Sequence, residues 1–372
     1  MPEPPVLPDC VRPATADEVR DAVQTHSRLH VRGGGSKPAL STPPSGGVLL
    51  DLSGLAGVLE YEPEEFTFTA RAGTPVAQVQ AMLAEQGQYL PFDPPLAQAG
   101  ATLGGVVAAG TNGPGRFRYG GVRDFLIGVR FVDGRGKLVR GGGKVVKNAA
   151  GFDFPKLFVG SLGRLGILAE VTFKVFPEPP AYGSLVVELP SLEAALDLLF
   201  RLGRSPFDLH ALDFHPEDAD PSRWRLWARL GGLASTLEPR LARLQDFVGG
   251  GQPVTGDREA AHWQGMLDFA WQPEGTALVK APVTPQGIPA LDGALAQAGA
   301  ARRYSVGGNL AWIAWPGELA LLDELLRAYG LNGLVLRGGT GVPGPWLGEL
   351  PGGLFAQRIK RALDPEGKFG PV

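Results

Sequence analysis

The chain has 372 residues, 44% of them hydrophobic and 20% charged, and its formal net charge is −3 at pH 7. This length favours two folded domains over one or three. The near-neutral charge argues against nucleic acid or an anionic membrane as a long-range partner. The single cysteine, Cys10, excludes an intrachain disulfide framework and a cysteine-based metal cluster. The sequence shows no secretory signal and no apolar stretch near the ~20 residues that cross a bilayer. We therefore expect a cytoplasmic protein that reaches a membrane only through partners.

Four glycine-rich stretches lie in the first half of the chain. They are 32–57, 100–121, 134–143 and 160–166, and they hold 23 of the 54 glycines. Because glycine permits close backbone approach and positive φ, this half is expected to hold a ligand with its main chain. Periodicity and capping signals predict helices over 15–25, 76–85 and 103–109, and strands over 30–32, 48–52, 66–71, 127–132, 137–139 and 166–176.

The second half begins after prolines at 177, 179 and 180 and lacks such glycine-rich ligand loops. Predicted strands lie at 184–189, 208–214, 224–230, 276–283, 310–315 and 334–337. Predicted helices lie at 191–202, 235–247, 257–269, 288–298 and 318–329. The interleaving predicts a second α+β domain with an antiparallel sheet. A weak strand-helix-strand-strand-helix-strand order is suggested twice, without similarity between individual residues.

Two glycine-rich segments could contact phosphate. In Val31–Lys37 three successive glycines follow a strand, and their N–H groups can form a concave anion nest. A flexible turn explains a triple glycine alone equally well. In Gly100–Ala109 a helix of small side chains could lie under a planar ligand with its first amides at a phosphate. Taken alone, that segment is better explained as a tightly packed buried helix.

Two further segments complete the pattern. Residues 111–124 combine turn residues with the aromatic Tyr119 and with the donors Arg116, Arg118 and Arg123. They could line a ring-shaped cofactor, although a solvated surface loop is the alternative. Residues 142–153 and 157–170 read GGKVVKNAAGFD and LFVGSLGRLGILAE. Their spacing is hard to explain by packing alone.

Other nucleotide and metal motifs are missing from the sequence. No Walker A sequence or G-x-S-x-G elbow occurs. The G-x-G-x-x-G match at Gly339–Gly344 is followed by proline rather than by the helix of a Rossmann fingerprint. None of the histidines has metal-ligand spacing, so no metal site is expected: His26, His30, His210, His215 and His262. Each is more simply a surface or core residue, although His210 or His215 could face a cofactor.

Taken in chain order, the four segments resemble the FAD-binding domain of the vanillyl-alcohol oxidase family, the PCMH type. Within that family, VKNAAGFDFPKLFVGSLGRLGILAE is most similar to the FAD-binding E subunits of glycolate oxidases. The strong resemblance covers about residues 28–177, and the ending DPEGKF is similar to that of related flavin 2-hydroxy-acid dehydrogenases. The resemblance implies an α+β fold with a two-part PCMH-type FAD-binding domain at 1–179. It also implies an α+β cap domain at 180–340 and a tail at 341–372 that returns to the first domain.

The resemblance also implies which residues contact FAD. The pyrophosphate would be held by Arg32, Gly33, Gly34, Gly35, Ser36 and Lys37. The ribityl chain and diphosphate would meet Pro94, Gly100, Ala101, Thr102, Gly104 and Gly105. Near the ring or the diphosphate would lie Asn112, Tyr119 and Gly120. Beside the cofactor would be Lys147, Asn148, Gly151 and Asp153, with Gly166 and Ile167 at the adenine end.

Two departures from the family pattern shape the expected function. Relatives that bind FAD covalently carry a G-G-H-S pattern, whereas this chain has Gly34-Gly35-Ser36, which predicts noncovalent FAD. Larger catalytic relatives carry a histidine-rich metal motif and a G-D-G-N-x-H stretch. Here only Gly307-Gly308-Asn309 remains, with no histidine after His262.

The resemblance therefore implies an FAD-binding subunit of a glycolate oxidase complex, working with a larger flavin subunit and an iron–sulfur subunit. The alternatives are a free-standing FAD oxidase or dehydrogenase of another small hydroxy acid or alcohol, and a non-catalytic flavin-binding subunit. A substrate carboxylate would need a cation. Lys280 or Arg337 could supply it, although most such charges are simply exposed or ion-paired.

Overall fold

The computed structural model describes residues 9–41, 46–143, 152–338, 344–350 and 352–372. The first part of the fold starts with β1 (Cys10–Val11), α1 (Ala16–Thr25), β2 (Leu29–Arg32), α2 (Pro38–Ser41) and β3 (Val48–Asp51). Strands β1, β3 and β2 form a small parallel sheet in that order. Helix α1 begins where the sequence predicts, because the Thr15 side chain accepts a hydrogen bond from the Glu18 amide at 3.2 Å.

A second, antiparallel sheet follows. Its part of the chain runs through β4 (Val58–Glu62), β5 (Thr67–Arg71), α3 (Val76–Ala84), β6 (Gln88–Tyr89), α4 (Leu103–Ala109), α5 (Arg116–Tyr119), α6 (Val122–Phe125), β7 (Leu126–Val132), β8 (Leu138–Gly142), α7 (Phe154–Phe158), β9 (Ile167–Lys174) and β10 (Phe176–Pro177). The sheet order is β4-β5-β9-β7-β8. Buried aromatic rings fill its core, and Phe68 stacks on Phe173 across the strands with ring centroids 5.7 Å apart.

The second half of the chain forms a large antiparallel sheet with helices. Its elements are β11 (Ala181–Leu189), α8 (Leu192–Gly203), β12 (Ala211–Pro216), β13 (Trp224–Gly232), α9 (Ala234–Val248), β14 (Gln252–Thr255), α10 (Asp257–Asp268), β15 (Ala277–Pro282), α11 (Ile288–Gln297), β16 (Ala301–Ser305), β17 (Leu310–Trp315), α12 (Leu319–Ala328), β18 (Asn332–Arg337) and β19 (Trp346–Gly348). The described residues give the order β14-β11-β13-β12-β16-β17-β15-β18-β19.

This order contains two mirrored copies of one motif. Each unit runs strand-helix-strand-strand-helix-strand, and its four strands are numbered 1 to 4 along the chain. Read across the sheet, the first unit has the strand order 4-1-3-2 and the second has the order 2-3-1-4. The repeated element order suggested by the sequence is thus confirmed, as are the α+β class and the antiparallel second sheet. Sequence patterns missed β14 and β16, which complete the two units, and they placed the start of β12 too early, at Asp208 instead of Ala211.

The large sheet packs on both faces. Helices α8, α9, α11 and α12 cover one face with aliphatic side chains such as Leu199 and Leu322. From the other face Leu278 and Trp312 join the same hydrophobic core as Phe92 and Val106 of the first part. One core therefore crosses between the two halves and fixes how they meet.

The C-terminal segment contacts the first part of the fold. Helix α13 (Gly353–Leu363) is followed by the DPEGKF sequence. The Lys368 amine donates to the Val23 carbonyl at 2.8 Å, and the Leu29 amide donates to the Lys368 carbonyl at 2.9 Å. The exact domain limits, 1–179, 180–340 and 341–372, remain a prediction. Among the described residues, no helix combines the length and apolar character needed to cross a membrane.

Candidate cofactor site

Three glycine-rich segments that are far apart in sequence line one cleft. The loop after β2 contributes residues 33–37, the start of α4 contributes Thr102, Gly104 and Gly105, and the loop after α7 contributes residues 161–163. Gly166 and Leu168 close one end. The segments that the sequence singled out as phosphate-binding candidates are therefore brought together.

Glycine is required where the first loop meets the α4 segment. A Cβ on Gly34 would overlap the Gly100 carbonyl oxygen, and a Cβ on Gly33 would overlap the Thr102 hydroxyl. Thr102 itself caps α4, because its hydroxyl accepts a hydrogen bond from the Gly105 amide at 3.2 Å. The missing side chains thus leave main-chain atoms as the wall of the cleft.

A buried cation points to an anion in this cleft. Lys37 is 5% exposed, and its amine donates to the Ser36 hydroxyl at 3.2 Å. No ion pair of Lys37 with a carboxylate is found among the described residues. Burial, assisted by the nearby Arg337, lowers the pKa of Lys37 to about 8. A phosphate group would compensate this charge, since buried charges are normally paired.

A second cleft adjoins the first, and Ala109 lines both. It lies between the first part of the fold and strands β15 and β18, and three cations line it: Arg116, Arg123 and Lys280. The Lys280 amine donates to the Gly110 carbonyl at 2.7 Å. Burial, with a smaller contribution from Arg116, lowers the pKa of Lys280 to about 8.

The predicted FAD contacts fall into four groups. Lining the first cleft are Gly33, Gly34, Gly35, Ser36, Lys37, Thr102, Gly104, Gly105 and Gly166, and lining the second are Asn112 and Gly120. Lys147, Asn148 and Gly151 lie outside the described residues, as do positions 339–343 of the Gly339–Gly344 sequence.

The other predicted contacts do not line either cleft. Arg32 is ion-paired with Asp51 at 2.6 Å, and Asp153 caps α7 by accepting from the Lys156 amide at 3.2 Å. Tyr119 packs edge-on against His210, whose Nδ1 lies 3.4 Å from its hydroxyl. The remaining predicted FAD contacts that line neither cleft are Pro94, Gly100, Ala101 and Ile167.

Both histidines that could have faced a cofactor are buried in the core. His210 is 6% exposed and His215 8% exposed, and His215 Nδ1 lies 2.8 Å from the Pro216 carbonyl oxygen. Burial, with Arg118 second, lowers the pKa of His210 to about 3. The simpler interpretation, a core histidine, holds for both.

The two substrate candidates lie apart. Lys280 lines the second cleft, whereas Arg337 donates from Nε to the Ser36 carbonyl at 3.4 Å, beside the first glycine loop. The sequence reasoning missed Ser161 and Leu162 as lining residues, although the GSLG motif contains them. It had no signal for Asn332 and Trp346, which reach the second cleft through the fold alone.

Comparisons with known proteins agree with this geometry. The FAD binding domain family model matches residues 9–142. The glycolate oxidase subunit GlcE of Escherichia coli strain K12 is 32% identical over 358 residues, covering 96% of this chain and 95% of GlcE. The glycolate oxidase subunit GlcD of Bacillus subtilis strain 168 is 32% identical over 195 residues, which is 51% of this chain and 41% of GlcD.

Two further likenesses concern other enzymes. A D-2-hydroxyglutarate dehydrogenase of Xanthomonas citri pv. viticola is 30% identical over 56% of this chain, which spans 44% of that enzyme. A solved structure of alkyldihydroxyacetonephosphate synthase matches 97% of this chain and 76% of its own with a TM-score of 0.71. At 17% identity that structure shows the fold alone.

Fold, cleft and family match together define a flavoprotein that binds FAD. Because the similarity to GlcE spans nearly the whole of both chains, this protein belongs to the FAD-binding family that includes the glycolate oxidase subunit GlcE.

Proposed function

We propose that this chain is the FAD-binding subunit of a glycolate oxidase complex, in which it takes part in oxidising glycolate to glyoxylate. The observation that carries the proposal is the end-to-end match with GlcE, which covers 96% of this chain and includes both halves of the fold. A match confined to the FAD domain would have supported flavin binding alone.

The first cleft fits the diphosphate of FAD. Its glycine backbone packs so closely against neighbouring protein atoms that Gly33 and Gly34 have no room for a Cβ, and Lys37 brings a buried charge that a phosphate would compensate. We propose that the amides of residues 33–36 and the Lys37 amine bind the diphosphate, with Arg337 supporting the loop through Ser36. No histidine stands in the Gly33–Lys37 loop, which supports noncovalent binding.

The second cleft fits the flavin ring and a small carboxylate. When bound, FAD supplies the hydride acceptor for a carbon that bears a hydroxyl group. Lys280, Arg116 and Arg123 supply positive charge on the walls of this cleft. A carboxylate there would be held by charge-assisted hydrogen bonds, which are stronger than neutral ones.

The proposed partners are a larger flavin subunit and an iron–sulfur subunit that passes electrons onward. The naming of both GlcE and GlcD as subunits supports a complex. We place this complex in the cytoplasm, with any membrane contact made by the partners.

The test is to purify the chain alone and together with the two proposed partners from the same organism. The account expects one noncovalent FAD per chain in both preparations, released by acid, and glycolate-dependent dye reduction only in the complex. Loss of FAD from the isolated chain, or a complex that forms and works without it, would contradict the proposal.

A second candidate is supported by the cationic second cleft, which is complete within this chain. A free-standing FAD dehydrogenase of a small hydroxy acid would use that cleft directly. Rapid reduction of the isolated chain's flavin by a 2-hydroxy acid would favour this candidate over the subunit role.

A further inference from the structure

A buried carboxyl group lies at the boundary between the two halves of the fold. Asp213, on β12, is 2% exposed. Its Oδ1 accepts hydrogen bonds from the Ser305 hydroxyl at 2.9 Å and from the Val306 amide at 3.1 Å. Its Oδ2 is buried and has no hydrogen-bond partner within the part of the chain that the structure describes. A buried polar atom without a hydrogen bond carries a large desolvation penalty, and such atoms in proteins normally have a protein or water partner.

Asp213 lines a small cavity that has room for about one water molecule. The wall opposite is the Asn112–Pro114 segment of the first half. Asp213, Asn112 and Ser305 line the cavity, which is the number of partners that a buried water typically needs. The Asn112 side chain accepts from the Val122 amide at 2.5 Å and donates to the Gly110 carbonyl at 3.1 Å, so its second amide hydrogen remains for a water. Asn112 also lines the second cleft, so the cavity and the cleft share one side chain.

The backbone on both sides of the cavity is held in unusual conformations. Val306, which donates to Asp213, has φ +58°, a left-handed conformation that is rare for a β-branched residue. Asp93, which packs against Gly113 of the cavity wall, has φ +46°, and its Oδ2 accepts from the Gly115 amide at 2.8 Å. Such conformations persist where surrounding contacts fix them, and they concentrate at functional sites.

Charges around the cavity favour the neutral acid. No cation lines it among the described residues. Burial raises the pKa of Asp213 to about 7 against the hydrogen bonds from Ser305 and Val306, and the Asp93 carboxylate raises it further. Asp93 in turn has its pKa raised to about 6 by burial and by Glu178, while Arg229 and the Gly115 amide oppose the shift.

We propose that Asp213 is a positioning residue that, as a neutral acid, binds one water molecule between the domains and thereby holds Asn112 at the flavin cleft. The inference depends on the FAD cleft and is independent of the substrate. When Asp213 ionises, its charge at the boundary between the two halves of the fold is uncompensated. The water-mediated contact between Asp213 and Asn112 then weakens.

The test compares the FAD-loaded wild type with Asp213→Asn, whose amide donates a hydrogen bond as the neutral acid does. The folded wild type binds more protons than the unfolded chain between the ordinary aspartate pKa of ~4 and about 7. Its stability therefore falls across that window, and the fall is complete above it. We expect the Tm of Asp213→Asn to rise relative to wild type from pH 5 to pH 8.

Two further variants distinguish the ionisation of Asp213 from a general effect of removing a carboxylate. Asp197→Asn changes an exposed carboxylate on α8 and should keep a constant Tm difference from wild type. Asp93→Asn should shift the transition of Asp213 to lower pH, because it removes the charge that opposes ionisation. Parallel Tm profiles for wild type and Asp213→Asn would overturn the proposal.

Two independent readouts follow Asp213 itself. In infrared spectra at pH 6, the carboxylic acid C=O band should be weaker in Asp213→Asn than in wild type, and the band that remains is expected from Asp93, whose pKa is about 6. The dissociation constant of FAD should rise several-fold more for wild type than for Asp213→Asn as the pH passes 7, because both proteins retain Lys37 and its own pH dependence. An undiminished band in the variant, or equal pH profiles of FAD binding, would contradict the assignment.

Discussion

At the scale of single residues, Gly34 is where the first cleft tolerates least change. Its Cα faces the Gly100 carbonyl so closely that any Cβ would overlap the oxygen. We expect Gly34→Ala to push the two loops apart at a cost of about 1–3 kcal/mol, or roughly 5- to 150-fold in FAD affinity. Titration of the apoprotein with FAD, followed by flavin fluorescence, measures this loss.

The matched control is Gly203→Ala at the end of α8, where a Cβ would meet nothing within 4 Å. It should bind FAD as wild type does. Circular dichroism should show the same secondary structure for both variants. Wild-type FAD affinity in Gly34→Ala would show that this loop does not contact the cofactor.

Replacement of Lys37 is expected to stabilise the apoprotein and to weaken FAD binding. In the apoprotein its burial costs stability, since the pKa of about 8 lies below the ordinary lysine value of ~10.4. Lys37→Met should therefore raise the apoprotein Tm at pH 7 while weakening FAD binding. The gain in Tm should shrink as pH rises from 8 toward 10, because the folded wild type then loses its proton and the penalty with it.

Calorimetry of FAD binding at pH 8 checks the same residue from the ligand side. A phosphate beside Lys37 raises its pKa, so binding should take up a proton, seen as a heat that depends on the buffer's ionisation enthalpy. Lys37→Met should remove that dependence. A buffer-independent heat for wild type would contradict the pairing of Lys37 with the diphosphate.

At the scale of elements, the C-terminal segment is stabilised by one buried carboxylate. Asp364 is 2% exposed. It accepts from the Lys360 amine at 2.6 Å and from the Lys368 and Phe369 amides at 3.0 and 2.9 Å. Asp364→Ala leaves the Lys360 charge buried without its partner and should cost about 3–5 kcal/mol of unfolding free energy.

Urea unfolding measures this cost. The control is Glu366→Ala, whose exposed carboxylate lies 3.4 Å from the Lys368 amine. Surface pairs of this kind contribute about 0–1 kcal/mol. Equal effects of the two substitutions would show that the DPEGKF ending does not fasten the tail to the first half.

Local signals predicted most elements of the fold. The Thr15 cap fixes the start of α1, and the small-residue run of 103–109 forms α4 as expected. Strand β16 escaped prediction because its sequence, ARRYS, carries two arginines. Both are buried, Arg302 by pairing with Asp292 at 2.6 Å and Arg303 by pairing with Asp218 at 2.6 Å. A period-two apolar pattern cannot reveal a strand whose charges are neutralised by distant partners.

At the scale of the whole molecule, the site depends on how the two halves meet. Glycine-rich sequence marked the loops of the first cleft as candidates, and the family resemblance assigned them to FAD. The second cleft needs Lys280 of β15 to reach Gly110, a contact across 170 positions of sequence. No local pattern encodes such a meeting, so Asn332 and Trp346 could not be found from the sequence.

Lys280 also provides a test of the second cleft. We expect Lys280→Met to retain FAD but to raise the dissociation constant of glycolate by roughly 10- to 150-fold, because hydrogen bonds to charged groups contribute about 1.5–3 kcal/mol. Perturbation of the flavin absorbance by glycolate measures this constant. Lys156→Met, which changes an exposed lysine on α7, should bind glycolate as wild type does. Unchanged binding in Lys280→Met would remove the lysine from the carboxylate site.

The most direct test of the account is a crystal structure of this chain grown with FAD. We predict that the diphosphate oxygens lie within hydrogen-bond distance of the main-chain amides of Gly34, Gly35 and Ser36 and of the Lys37 amine, with the flavin ring in the cleft beside Lys280. A cofactor bound elsewhere, with the glycine loop making no phosphate contact, would contradict it.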